Sequence, residues 1–372
     1  MNKSKVALVG CESYDETAVS AAVKKAVDLL GGMGQFARTG EKVLLKVNNL
    51  SGTKPEEAVT THPAVLNAVI QLLLEIGCKP FYGDSPAMEK AAVGLRKTGL
   101  AAVAERYGIP QGDFDGGKST DFPEGAVVKK FSIANACLEA DAIISLPKMK
   151  THMLARITGA VKNQFGCVNG LNKAAYHVKI SNPTRFCRML VDLTRLVKPR
   201  LYIMDGIVAM EGNGPSGGDP VAMNCILVSA DPVALDTVFC RLINLNPLLV
   251  PTNKYGKLEG LGTCSWDEIE CVGDPVDRFI KPDFKVVRKP VRGGFFKNIA
   301  PAFLRNWFYA KPLIAPEKCL KCGVCVDACP VEGKALRFGP AGKKEPPIYN
   351  YSKCIRCYCC QEMCPHKAIS GK

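Results

Sequence analysis

CLKCGVCVDACP at residues 319–330 is echoed by CIRCYCCQEMCP at residues 354–365. Each stretch carries the rhythm Cys-x2-Cys-x2-Cys-x3-Cys-Pro, the spacing of a 4Fe-4S site whose fourth cysteine serves the neighbouring cluster. Three thiolates on one tight loop can wrap a single face of a cubane, and the fourth must come from the partner loop. That exchange makes one folding unit of the two stretches. The spacing assigns Cys319, Cys322, Cys325 and Cys364 to one cluster and Cys354, Cys357, Cys360 and Cys329 to the other, two 4Fe-4S clusters in all. A pair of zinc ribbons would show two CxxC pairs separated by a loop instead. Pro330 and Pro365 turn the chain after the cross-ligating cysteine. Cys359 is left over beside Cys360, either a small buried thiol or a substitute ligand.

Cysteine is frequent elsewhere too. The chain has 18 in 372 residues, nine from Cys11 to Cys271 and nine from Cys319 to Cys364. The start, Met1-Asn2-Lys3-Ser4-Lys5, precedes too short an apolar run for a signal peptide, so a reducing, cytoplasmic setting is expected and disulfides are not. Hydrophobic residues at 47% and charged residues at 23% match a globular chain, and no apolar run approaches the ~18 residues of a spanning helix. Residues 281–318 hold nine Lys or Arg against Asp283 and Glu317, a net +7 and half of the chain's +14. Phe295, Phe296, Phe303, Trp307, Phe308 and Tyr309 lie in the same stretch. It reads as a basic linker over 281–315 that lays its cations on a neighbouring domain; a membrane-surface helix or a dock for an acidic redox partner protein are the alternatives. No nucleic-acid module accompanies the pI near 9.0, so nucleic acid is rejected as a partner.

Residues 1–280 alternate short apolar runs with helical patterns. Strands are expected at 6–9, 42–47, 80–82, 142–146, 201–204 and 225–228, with helices at 17–30, 63–76, 183–197 and 231–243. Continuous apolar strands alternating with helices predict an α/β domain, a mostly parallel sheet with helices on both faces. A small α+β ferredoxin-like module at 316–372 follows it.

Polar clusters recur where these strands end: Lys46 to Asn49, Gly83 to Pro86, Lys148 to His152, Thr158 to Cys167, and Asp205 to Pro215. Ligands of open α/β sheets bind outside the carboxyl ends of the strands, so these clusters are expected to meet in one crevice. Its candidates are Lys148, Lys150, His152, Lys162, Asn163, His177, Asp205 and Glu211, with Lys46, Asn48, His62, Asp84 and Asn213 nearby. Lysines beside glycine-flanked backbone suit an anionic small molecule, and histidines suit proton transfer. The plainer reading is that such residues cap helices and tie loops. Cys167 is the best reactive thiol outside the arrays. Gly31-Gly32-Met33-Gly34 lacks the Lys-Ser/Thr of a phosphate loop, and Pro215 interrupts any dinucleotide spacing near Gly212.

PKMKTH at 147–152, TGAVKNQFG at 158–166 and DGIVAMEGNGP at 205–215 resemble the family designated domain of unknown function 362, in its variant with a C-terminal two-cluster bacterial ferredoxin module. The resemblance runs from Cys11 and Tyr14 through TTHP at 60–63 to DPVALD at 231–236, and takes in the Cys-Ile-Arg-Cys-Tyr-Cys-Cys of the second array. It implies the architecture and the clusters but no reaction. The functional expectation is an iron–sulfur redox protein whose module passes electrons to or from the strand-end crevice. The alternatives are a non-redox transferase or lyase with structural or sensory clusters, and an electron-carrier or assembly module for a partner enzyme.

Overall fold

The computed structural model describes residues 3–86, 89–170, 172–289 and 310–371. The six aromatic residues of the basic stretch, Phe295 to Tyr309, lie outside them. A large sheet contains β1 (Ser4–Gly10), β2 (Lys42–Lys46), β3 (Lys79–Gly83), β6 (Ala142–Ser145), β7 (Lys148–His152), β8 (Arg156–Thr158), β9 (Leu201–Glu211), β10 (Asp219–Ser229) and β11 (Ile269–Gly273). Two further strands, β4 (Gly117–Asp121) and β5 (Lys130–Ala134), form a separate hairpin. The main path is β11-β1-β10-β9-β6-β2-β3. Pairing is parallel for β3-β2, β2-β6, β6-β9, β7-β9 and β1-β11, and antiparallel for β1-β10, β10-β9 and β7-β8. The sheet is thus mixed and mostly parallel, in an α/β arrangement.

The twofold alternation of strand side chains explains the layers. Ala7 and Val9, Ile203 and Ile207, and Ile226 and Val228 face one core, filled by the helices Glu16–Asp28 and Pro63–Glu75. Val6 and Leu8, Tyr202 and Met204, and Cys225 and Leu227 face another, filled by the helix Pro232–Leu242. The helix Pro183–Val197 closes a third, where its Phe186 packs with Phe131 and Phe165. Each of these helices starts on an acceptor that caps its first amides: Asp15, His62 Nδ1, Asp231 and Asn182.

Two sequence readings change. The strand expected at 201–204 runs to Glu211, because β10 continues antiparallel beside it from Ser229↔Tyr202 to Asp219↔Glu211. Most of DGIVAMEGNGP is therefore sheet, not loop. PKMKTH is likewise mostly a strand, β7, with all five of its residues buried. No helix among the described residues is long and apolar enough to cross a membrane. The cysteine module adds β12 (Pro312–Ile314), β13 (Leu336–Arg337), β14 (Ile348–Tyr349) and β15 (Ile369–Gly371), paired β12-β15 and β13-β14, and the short helices Val324–Asp327 and Cys359–Glu362.

Candidate functional site

The carboxyl ends of β2 and β3 are stitched together by a buried ion pair. Lys46 Nζ lies 2.8 Å from Asp84 Oδ1 and also donates to Val47 O and Asn163 O. Removing one partner would strand a buried charge, so the pair positions its surroundings more than it stabilises the fold. Gly166 passes directly over it: a Cβ there would fall 1.8 Å from Asp84 Oδ1 and 2.6 Å from Lys46 Nζ. This close approach explains the glycine that ends TGAVKNQFG. Its first glycine, Gly159, is equally confined, since a Cβ would meet Asp236 Oδ1 at 2.0 Å. Asp236 accepts from Ala160 N and Val161 N and so anchors the start of the turn that carries Lys162 and Asn163.

Above these strand ends lies a cavity of about 290 Å³. One wall comes from the α/β part: Asn48, Asn49, Asp84, Lys150, His152, Lys162, Asn163, Phe165, Lys173 and His177. The facing wall comes from the cysteine module: Asp327, Cys329, Pro330, Lys334, Cys359, Glu362 and Met363. Asn48 Oδ1, both amide atoms of Asn49, Thr158 Oγ1 and Asn163 Oδ1 are buried beside this space without a hydrogen-bond partner. Buried polar groups are nearly always paired, so such a concentration points to a ligand or ordered water.

Burial sets the proton affinities. It lowers Lys150 to about 7, with Lys162 adding repulsion, and it lowers Lys173 to about 7. Burial also pulls Lys162 down, and its ammonium sits over the Phe165 ring at 5.2 Å. His177 is lowered to about 4 by burial, stacked on Phe186 at 4.4 Å. His152 is lowered by burial and by Lys162. Its Nδ1 accepts from Leu154 N and Ala155 N, which assigns the proton of the neutral ring to Nε2, 3.2 Å from Glu362 Oε1. Burial alone would push the Glu362 carboxyl up, but His152, Lys162 and His177 together hold it at about 2.

The module is clamped to the α/β part by the end of DGIVAMEGNGP and the residue after it. Gln361 Nε2 donates to Asn213 O and Gly214 O, Asn213 Nδ2 donates to Ile369 O, and Ser216 Oγ donates to Glu362 O. The eight array cysteines divide between two further cavities. Cys319, Cys322, Cys325 and Cys364 line one, and Cys329, Cys354, Cys357 and Cys360 line the other, the crosswise grouping that the spacing demands. Ala335 N donates to Cys329 Sγ and Ala368 N to Cys364 Sγ, both at 3.3 Å, so each crossing sulfur has a backbone donor suited to a thiolate. Four thiols about a cavity, with N–H donors on the crossing pair, fit a 4Fe-4S cluster.

Of the eight crevice candidates, Lys150, His152, Lys162, Asn163 and His177 line the interdomain cavity, whereas Lys148, Asp205 and Glu211 do not. Lys148 and Asp205 form a buried pair at 2.7 Å with Tyr14, whose ring stacks on His62 at 3.6 Å. The pairing of β7 with β9 jumps from Lys148↔Asp205 to Lys150↔Met210, and this irregularity parts Lys148 from its neighbours. Glu211 turns to Lys285 instead, 3.1 Å away. Cys167 is fully buried and does not line the cavity; Cys359 does. Lys173 and Glu362 were missed. Lys173 follows no strand end, and Glu362 sits inside the second array, where only the cysteines stood out.

A family model described as Domain of unknown function (DUF362) matches residues 43–241, and one described as 4Fe-4S dicluster domain matches residues 311–368. The chain therefore carries an iron–sulfur electron-transfer module. It is 39% identical over 249 residues to a thylakoid-associated protein of Synechocystis sp., covering 66% of this chain and 77% of that one. Among solved structures it is similar to the lactate racemase apoprotein from Thermoanaerobacterium thermosaccharolyticum, at 14% identity and a TM-score of 0.43, over 65% of this chain and 57% of that one. A protein from Thermotoga maritima is similar at 12% identity and a TM-score of 0.36, over 68% and 61%. The chain spans less than two thirds of either structure.

Proposed function

The chain belongs to the DUF362 family, and from that premise we propose that it is a reductase whose substrate, a small anion, binds between the sheet ends and the cysteine module. The observation that carries this reading is the shared cavity, with Lys150, His152 and Lys162 on one wall and Cys329, Cys359 and Glu362 on the other. Cys319, Cys322, Cys325 and Cys364 would hold one 4Fe-4S cluster and Cys354, Cys357, Cys360 and Cys329 the other, and each cluster would supply one electron. A carrier alone has no need of a lysine-rich, partly apolar cavity behind one of its ligands.

The residues suit a polarised double bond attached to a carboxylate or phosphate. Lys162 Nζ has no hydrogen-bond acceptor among the described residues and is the natural donor to the anionic group. A charge-assisted hydrogen bond there contributes about 1.5–3 kcal/mol. His152 stays neutral and presents Nε2–H, a polarising donor more than an acid. Lys150 is the better proton source, since a group near 7 is matched to neutral conditions. The balance is two electrons and two protons added across the double bond, one proton from Lys150 and one from Lys173 or solvent. Phe165, Pro215 and Pro330 flank the cavity with apolar surface.

The test is anaerobic. Photoreduced protein is mixed with enoyl and heteroaryl carboxylates, and visible bleaching is followed as it reverses. One of these should reoxidise the wild type while Lys162→Ala, with unchanged iron content, binds it about 10- to 100-fold more weakly. Reoxidation that survives both Lys162→Ala and Lys150→Met would overturn the reading.

A further inference from the structure

The two thiol-lined cavities differ in what they face. Cys329 borders both its own cavity and the interdomain one, so that half of the module looks inward. Cys322, in the other half, is the single exposed cysteine of the chain. Beside it Leu320 is 68% exposed, among the most exposed large aliphatic side chains described. Electrons that leave through the Cys329 side must be replaced, and an outside donor comes nearest at Cys322.

The surroundings of Leu320 are cationic. Lys318 is exposed, Lys321 flanks Cys322, and Lys343 reaches within 4.0 Å of where a side chain on Gly323 would begin. Glu317 is the acidic neighbour. Over residues 310–371 ten Lys or Arg stand against five Asp or Glu. An apolar centre within a charged rim is the build of a transient interface, in which charge steers encounter and the apolar contact holds it briefly. We propose that Leu320, with Lys318, Lys321 and Lys343, is the electron-entry dock for a small acidic one-electron carrier protein. In each transfer the carrier would be oxidised by one electron and the 4Fe-4S cluster that Cys319, Cys322, Cys325 and Cys364 would hold would be reduced by one; no bond forms and no proton moves. The dock rests on the cluster assignment and on the proposed reading that electrons leave on the Cys329 side, whatever molecule the interdomain cavity binds.

The probe is an acidic bacterial flavodoxin in its fully reduced form, mixed with the iron-loaded chain in an anaerobic stopped flow. Lys318→Glu/Lys321→Glu should slow reduction by about tenfold or more at low ionic strength, and the wild-type rate should fall with salt far more steeply than the variant's. Titration with oxidised flavodoxin should show a matching loss of affinity, and Leu320→Ser should weaken binding several-fold without altering its salt dependence. Methyl viologen radical, a small cation that needs no dock, should reduce every variant at the wild-type rate or faster. Lys118→Glu/Lys254→Glu, on the α/β part, should leave flavodoxin kinetics unchanged. The proposal fails if the first double variant keeps its iron, its rate and its affinity, or if the second slows reduction equally. A wild-type chain that binds no iron would overturn the cluster assignment beneath it.

Discussion

Lys321 and Gly323 in the first cysteine loop correspond to Arg356 and Tyr358 in the second, and all four hold left-handed backbone, at φ 57°, 89°, 59° and 62°. The spacing of three thiols on one short loop imposes the same path twice. What fills the path differs. Gly323 accepts the conformation without strain, in the loop that carries the exposed Cys322. Tyr358 accepts it at a cost of about 1–2 kcal/mol. Its ring is buried against the α/β core, and its hydroxyl donates to Ala310 O at 2.6 Å, which together offset that cost. The next residues diverge further: Gln361 and Glu362 reach Asn213 and His152, whereas Val326 and Asp327 make no such clamp. Equal local geometry thus serves two surroundings, solvent at Cys322 of the first loop and the α/β core at Tyr358 of the second.

The largest expected effect tests whether the halves are truly crossed. Cys329→Ser and Cys364→Ser should each lose about four of about eight irons, with the surviving cluster belonging to the opposite set of thiols. Only Cys329→Ser should also alter the spectroscopic response of the remaining iron to cavity ligands. Full iron in either variant would break the comparison. Next, Lys162→Ala should weaken binding of an anionic ligand by about 10- to 100-fold, the value of one charge-assisted hydrogen bond, with iron unchanged. Calorimetric titration reads that loss.

Lys150 sharpens the contrast through pH. Burial holds it at about 7 against an ordinary 10.5, so its neutral form is the one the fold prefers. Above pH 10.5 its contribution to stability is intact; as pH falls from 10.5 through 7 the unfolded chain takes up the proton first and stability declines. Lys150→Met should flatten this part of the profile and raise stability most below pH 7, by a few kcal/mol, while impairing turnover. Denaturant titrations at pH 6 and pH 9 check it; an unchanged slope would place Lys150 in water. The smaller effects belong to the loops. Gly323→Ala should cost about 1 kcal/mol through its φ of 89°, measured by thermal unfolding of the iron-loaded chain. Cys359→Ala should leave iron content unchanged whereas Cys360→Ala loses a cluster, and equal loss in both would move the ligand to the wrong sulfur.

Local signals in the sequence carry the most structural information. The spacing of the arrays leads to the expectation of crosswise ligation, because thiols two or three residues apart on a tight loop have few ways to share a cubane, and the thiols line two cavities in that grouping. Apolar runs gave six strands of the large sheet and the four longest helices among the described residues, because burial on both faces leaves a strand little freedom of composition. Within the crevice the signal weakened. Lys148, Lys150 and His152 sit at alternate positions of one strand and look equivalent, yet the shifted register on β9 sends Lys148 to Asp205 and the other two to the cavity. Asp205 and Glu211 read as loop residues but belong to β9, held in line by β10. Glu362 reads as filler among cysteines, and its meeting with His152 joins segments 210 residues apart that no periodicity relates. Short-range chemistry, the ligand spacing and the alternation of apolar residues, was therefore determined by the sequence alone. The cavity was decided by tertiary structure, because its two walls meet only where the module docks on Asn213 and Gly214, and side-chain direction there follows from packing and register.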